Sequence, residues 1–334
     1  MTAEGAITAA LVAWHGDGTA ITALHERMGG AQGYSGATLR YYDVGYAGPQ
    51  GLGERALVTK DATLIERRLL AWLGAHKLPV PASYAPDLST AGRALICQEY
   101  CGDPVPATRG RSTAHALAAI HHAAHEHAAE LDWLPRADPA FFADRLVDRC
   151  WRKPWQQLLI GAGYTDWYDR PHPPAEPDVA FAATFTTLTP ALEAVAARFV
   201  RGMTALWHDK ALCTLAHSDF HAEHARWHGE EARLIDWEQA RYGPYAIDLP
   251  NYFSRDEALH YHDARAELGW TLPRDQFLAH YDAARPYPGF KYFGIGLAQW
   301  RTGDPAKRRQ AVQYWIDLVL KGPHAARWVP YRNV

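Results

Sequence analysis

Apolar positions recur at helical spacing at the start of the chain, where Ile7, Leu11 and Trp14 predict a helix reaching about Leu24. Gly29, Gly30, Gly33 and Gly36 then make a glycine-rich turn. Residues 37–44 carry the aromatic and β-branched content of a strand, and a Gly/Pro loop over 45–53 leads to a second short strand at 55–60. Residues 61–73 place Leu64, Leu69, Leu70 and Leu73 on one helical stripe. Pro79 and Pro81 break the chain before a third strand, 93–100, which closes at Gly102 and Pro104.

The pattern changes beyond this point. Residues 112–131 read as a helix rich in Ala and His, and 189–208 as another. Between them, 151–189 is dense in Trp, Tyr and Pro and predicts an inserted helical cap rather than a sheet. Helices continue to the C-terminus. Strands early and helices late predict an α+β protein with a small β-rich lobe, 1–102, and a larger helical lobe, 103–334.

Composition narrows the function classes. With 48% hydrophobic and 21% charged residues the chain reads as an ordinary globular protein. The net charge of 34 − 37 = −3 gives no footprint for nucleic acid or an anionic membrane surface. Cys97, Cys101, Cys150 and Cys213 form no CxxC pair and no disulfide-framework spacing, so reduced thiols in a cytoplasm are expected. Glu4 and the lack of a basic start argue against a signal peptide, and no uninterrupted apolar run approaches membrane-helix length. A monomer or homodimer acting on a small molecule is the expectation, with no nucleic-acid or membrane partner.

The chemistry concentrates in 217–237, which reads HSDFHAEHARW, then HGEEARLIDW. Phosphoryl transfer needs one carboxylate to orient the attacking hydroxyl and accept its proton, and another to hold the metal on the nucleotide phosphates. Asp219 and Asp236 are the candidates. Their order and spacing resemble the protein-kinase signature H-R-D-x-x-x-x-N followed by D-F-G, with His224 where Asn stands. His217 is read as support for the loop, and Asp248 as a structural tie to its backbone.

Upstream, the turn holding Gly30 and Gly33 suits a loop over phosphates, because glycine lets backbone N–H groups approach closely. A plain hairpin is the commoner meaning of such glycines. Lys60 ends a strand as the Lys of V-A-I-K does, and Glu66 follows early in the next helix, placed to pair with it. Most such pairs are a surface Lys and a solvated Glu; the flanking motifs add weight to the functional reading. Gln98, Glu99 and Tyr100 end the third strand, where backbone groups suit adenine.

On these residues the chain resembles the aminoglycoside phosphotransferase and choline kinase family. HSDFHAEHARW…ARLIDWEQARYGPYAIDL is similar to the family's HGDLHPGNvLw…xxlIDWExaxxGdpaxDLA, and residues 117–121 (LAAIH) to its LAxLH helix. The resemblance implies a bilobal kinase-like fold and ATP- or GTP-dependent phosphorylation of a hydroxyl on a small molecule, such as an aminoglycoside-type antibiotic. It makes Asp219 the base, Asp236 the metal ligand and Lys60 the phosphate contact. Mg²⁺ is the implied ion. His224 replaces an amide oxygen with an imidazole nitrogen, which favours Mn²⁺ as the alternative.

Other readings stay open. A choline, amino-alcohol or sugar kinase shares the fold. A pseudokinase would explain His224, although Lys60, Asp219 and Asp236 are costly to retain without a task. A metal-dependent hydrolase could use His217, Asp219, His221 and His224, but it has no use for the glycine turn or the strand Lys. For the acceptor, Trp151, Trp155, Trp167 and Tyr168 offer a cage for a quaternary ammonium, while Glu238, Asp256 and Glu257 would suit a polyamine.

Overall fold

The first helix stops earlier than its apolar spacing suggests. Helix α1 (Ala3–His15) is capped by Thr2, whose hydroxyl accepts from the Gly5 N–H. Gly16 and Gly18 follow at φ of 96° and 84°, a left-handed backbone that only glycine adopts without strain. The chain turns there, and the expected end of the helix is instead strand β1 (Ala20–Glu26), paired with the next strand through Leu24↔Val44. The computed structural model describes residues 1–27, 37–167, 169–304 and 307–323. Gly30 and Gly33 lie outside the described residues.

Next along the chain are β2 (Leu39–Gly48), β3 (Gly51–Ala62), α2 (Leu64–Ala75), β4 (Ser83–Tyr84), β5 (Ala94–Glu99) and α3 (Gly110–Glu126). A π-helical stretch (Phe141–Arg152) precedes α4 (Lys153–Ile160), β6 (Tyr164–Thr165), β7 (Pro171–His172), α5 (Val179–Phe185) and α6 (Thr189–His208). The short strands β8 (Cys213–Ala216), β9 (Ala225–His228), β10 (Glu231–Leu234) and β11 (Arg241–Pro244) flank the aspartate segments. Helices α7 (Ala258–Glu267), α8 (Arg274–Ala284), α9 (Tyr287–Thr302) and α10 (Arg308–Lys321) complete the described chain.

These elements divide into two units. The first holds Met1–Ala123 and His221–Ala240. Its antiparallel sheet has the order β1-β2-β3-β5-β4. The loop expected over 45–53 is mostly hairpin, because β2 and β3 stay in register from Leu39↔Lys60 to Gly48↔Gly51. Ile7 and Leu11 of α1 pack on Tyr42, Val44, Leu57 and Cys97, which covers one sheet face. Residues 1–102, read from sequence as a lobe, all fall in this unit, which also takes 103–123 and the β9–β10 hairpin. Backbone bonds account for the hairpin's place: Val105 N–H to Ala225 O (2.9 Å), Trp227 N–H to Asp103 O (2.8 Å) and Leu234 N–H to Pro79 O (2.9 Å).

The second unit holds Ala124–Phe220 and Arg241–Val334. Two rings of the Trp-rich segment are core rather than cap; Tyr168 lies outside the described residues. Trp151 and Trp155 are fully buried, and Trp155 packs on Phe181, Phe185 and Phe293; the large apolar area of these rings is what forms the core here. By length and composition the stretch Val179–His208 could cross a membrane. It is broken into α5, a 3₁₀ turn and α6, however, and Leu192, Phe199 and Met203 of α6 are buried on one face of an amphipathic helix. Strand β11 pairs with β8 through Arg241↔Ala216, one residue before the HSD segment begins.

Candidate active site

In the first unit, β3 carries Lys60 and α2 carries Glu66. Thr63 caps α2 by accepting from the Glu66 N–H (3.3 Å), which sets Glu66 in the first turn. Lys60 Nζ donates to Glu66 Oε1 at 2.9 Å and to Asp236 Oδ1 at 2.5 Å. Lys60 and Glu66 are both buried, so these charge-assisted bonds compensate charges that would be costly unpaired. Asp236 follows β10 at φ 65°, a left-handed conformation rare outside glycine. Its Oδ2 lies 3.2 Å from His224 Nε2, and the His224 ring lies against that of His221, tilted by 36° with centroids 3.8 Å apart. The Ile235 N–H donates to His224 O at 3.0 Å, which holds the two segments in register.

The electrostatics follow from one ammonium among three carboxylates. Burial raises the Glu66 carboxyl to about 7; Lys60 opposes this, and Asp236 and Glu238 add to it. Burial also acts to raise Asp236, but the hydrogen bond and charge of His224, then Lys60, hold it well below the usual carboxylate range. For Lys60, burial pulls downward and is outweighed by Glu66 and Asp236, so its ammonium is held above the usual range. Glu66, Asp236 and Glu238 bring carboxylate oxygens within 4.8 Å of one another. Glu66 Oε2 is buried with no hydrogen-bond partner among the described residues. This oxygen-rich set, with one imidazole at its edge, fits a hard divalent cation that also accepts nitrogen.

The end of the third strand is more fully engaged than its sequence suggested. The Glu99 N–H donates to Ala82 O and the Tyr100 N–H to Ala56 O, at 2.8 and 2.9 Å. Gln98 is buried and donates to Ser83 Oγ (3.0 Å), and Glu99 accepts from Arg55 (2.6 Å).

The unit boundary falls between Phe220 and His221, so Asp219 belongs to the second unit. Asp248, buried, accepts from two successive backbone N–H groups, His217 (2.6 Å) and Ser218 (2.7 Å). His217, fully buried, accepts at Nδ1 from the Asp219 N–H (3.3 Å). Ser218 sits at φ 64°, at the position where the pattern quoted above has Gly. Asp219 Oδ1 is met by Lys291 Nζ at 2.6 Å and by the Tyr292 hydroxyl. Lys291 also donates to Ser218 O (2.5 Å), as does Tyr287 Oη (2.8 Å). Lys291, Tyr292 and Tyr287, all from α9, were not singled out from the sequence. No local pattern marks them, because the Asp219–Lys291 contact spans 72 residues.

These two constellations, an ion-paired Lys with a metal-competent Asp and a loop-borne Asp tied at its backbone, match what phosphoryl transfer needs. The model of the phosphotransferase enzyme family matches residues 53–290. The chain belongs to this family. The expected phosphotransferase is thereby borne out, and the metal-hydrolase alternative falls. No curated protein matches the chain. Among solved structures, a spectinomycin phosphotransferase in complex with ADP and spectinomycin is similar at 14% identity and TM-score 0.54, covering 94% of this chain and 97% of that one. A choline kinase from Cryptosporidium parvum Iowa II is similar at 9% identity and TM-score 0.55, covering 90% of this chain and 88% of that one. An ethanolamine kinase from Plasmodium vivax is similar at 12% identity and TM-score 0.53, covering 89% and 82%. At such identities the likeness establishes the fold, and the kinase-like α+β architecture stands.

Within the family, several features read from sequence as acceptor recognition have other partners here. Besides the buried Trp151 and Trp155, Trp167 lies under two of the protein's own guanidinium groups, Arg145 (5.9 Å) and Arg241 (5.7 Å). Glu238 pairs with Arg93 at 2.5 Å, and Glu257 accepts from the Ser254 N–H at 2.8 Å.

Proposed function

We propose that the chain uses ATP or GTP to phosphorylate a hydroxyl group of a small molecule by direct in-line transfer. The observation that carries this reading is Lys60, buried and bonded at once to Glu66 and Asp236. That pairing preorganises an ammonium for the nucleotide's α- and β-phosphates, and phosphoryl transfer is catalysed largely by such positioning and charge. Asp236, with His224 and the oxygens of Glu238, would hold the divalent ion. When bound, Mg²⁺ or Mn²⁺ neutralises charge on the β- and γ-phosphates. Asp219 accepts the proton of the acceptor hydroxyl as its oxygen forms the new P–O bond and the β–γ bridging oxygen leaves with the nucleoside diphosphate. His217 and Asp248 hold the Asp219 loop. A soluble cytoplasmic setting is consistent with four free, buried cysteines.

The acceptor class follows the family: an aminoglycoside-type antibiotic, with choline-like amino alcohols and sugars as alternatives. Trp151, Trp155, Trp167, Glu238 and Glu257, which favoured a cationic acceptor, have partners within the protein, so neutral polyols belong in the same screen. The test is nucleotide consumption measured against antibiotics, amino alcohols, sugars and nucleosides, with Asp219→Asn alongside. The expected result is turnover with at least one class and its loss in Asp219→Asn, with nucleotide binding kept. Nucleotide binding without any turnover would establish the pseudokinase instead.

A further inference from the structure

We infer that Lys291, assisted by Tyr292, is a positioning residue for Asp219: it fixes one carboxylate oxygen and the preceding carbonyl, so that carboxylate and loop are presented as one rigid body. This deepens the proposed function and rests on the reading of Asp219 as the base. The family match ends at residue 290, one position before Lys291, so the role is read from this chain's own contacts.

The geometry is specific. Lys291 Nζ reaches Asp219 Oδ1 at 2.6 Å and Ser218 O at 2.5 Å, spanning the peptide that joins the two residues. The Tyr292 hydroxyl donates to the same Oδ1. Burial chiefly, then the charge of Asp219, hold the Tyr292 phenol well above its ordinary range; it therefore stays protonated and acts as a donor. A carboxylate gripped on one oxygen by an ammonium and a phenol cannot swing about its Cβ–Cγ bond, and it keeps its charge compensated where only 10% of the Lys291 side chain is exposed.

The support behind the pair is stiff. Helix α9 approaches α10 closely: a Cβ at Gly289 would lie 2.8 Å from Val319, and one at Gly296 would run into the Trp315 ring. These glycines let α9 seat against its neighbour, and a group on a rigid element holds its geometry better than one on a loop. Tyr287, a turn earlier on α9, donates to Ser218 O at 2.8 Å, so three side chains of one helix grip two residues of one loop. A Lys kept only for stability would need none of this convergence on the Asp219 carboxylate.

The experiment compares Lys291→Met, Lys291→Arg, Tyr292→Phe and Asp219→Asn. Steady-state hydrolysis of ATP with water as acceptor is measured in Mg²⁺ and in Mn²⁺, with calorimetric binding of a non-hydrolysable ATP analogue. Lys291→Met is expected to lower kcat by about a hundredfold, the order a misplaced catalytic group costs, while analogue affinity and the KM for ATP stay unchanged. Lys291→Arg should recover part of the loss by restoring the charge, and Tyr292→Phe should lose less than Lys291→Met. The inference is overturned if Lys291→Met keeps wild-type kcat while Asp219→Asn is inactive. It is equally overturned if Lys291→Met lowers kcat and analogue affinity together and Lys291→Arg recovers neither, the mark of a purely structural Lys. Turnover retained in Asp219→Asn is a different failure, that of the base assignment itself.

Discussion

Asp248 gives the sharpest link between stability and function, because one buried carboxylate satisfies two neighbouring backbone donors. It accepts from His217 at 2.6 Å and Ser218 at 2.7 Å and is 1% exposed. Asp248→Asn keeps the shape but replaces one acceptor oxygen with an NH₂ group that faces a backbone N–H. One charge-assisted bond is then lost, worth about 1.5–3 kcal/mol, and a buried donor is left unsatisfied at roughly 1–3 kcal/mol. The surviving bond also loses its charge. The total is about 2.5–6 kcal/mol, a large share of a typical domain's stability.

The assay is equilibrium urea unfolding at neutral pH, with the exposed Asp256→Asn as a control expected within about 0.5 kcal/mol of wild type. A loss below 1 kcal/mol in Asp248→Asn would show that the loop's N–H groups find other partners and that this count is wrong. Function should fall with stability, since the same loop carries Asp219. At a temperature where the variant is still folded, turnover should drop while binding of a non-hydrolysable nucleotide persists, because Lys60, Glu66 and Asp236 are untouched.

Ser218→Gly should raise stability by about 1 kcal/mol in the same urea assay: it relieves a left-handed backbone costing roughly 1–2 kcal/mol and removes a buried hydroxyl that has no hydrogen-bond partner among the described residues, against glycine's added entropy in the unfolded chain. Ser218→Val, β-branched at φ 64°, should lose stability instead. His224→Asn should weaken Mn²⁺ binding relative to Mg²⁺ severalfold, read by electron paramagnetic resonance of bound Mn²⁺ in the presence of nucleotide. An unchanged ratio would mean that the imbalance in the donor set is not felt by the ion. The cysteines should be inert in the native state at pH 8. Burial chiefly raises Cys97, Cys101 and Cys150 to about 12 and Cys213 to about 11, so thiolate forms only as pH rises toward those values. A disulfide-exchange dye should therefore report no rapid reaction until denaturant exposes the thiols, and fast labelling at pH 8 would refute their burial.

What could be read from the sequence depended on how local the constraint was. The bounds of α6 matched because an apolar stripe over 189–208 is a property of neighbouring residues alone. Lys60 and Glu66, six residues apart, could be paired on paper because a strand followed by a capped helix leaves few ways to place them. Asp236 was legible by motif, although its bond to Lys60 crosses 176 residues. The failures have a common cause. Residues 20–24 and 45–48 look like helix and loop in isolation, and become strand only because their partners across the sheet supply hydrogen bonds. Trp151 and Trp155 read as a substrate cage until the fold surrounds them with Phe181, Phe185 and Phe293. Lys291 is the extreme case: one Lys on an aromatic-rich helix has no distinguishing neighbour in sequence, and its meaning comes entirely from where α9 sets it against Asp219. Motifs record chemistry that many chains share; what positions that chemistry in this chain is held by contacts that only the folded structure brings together.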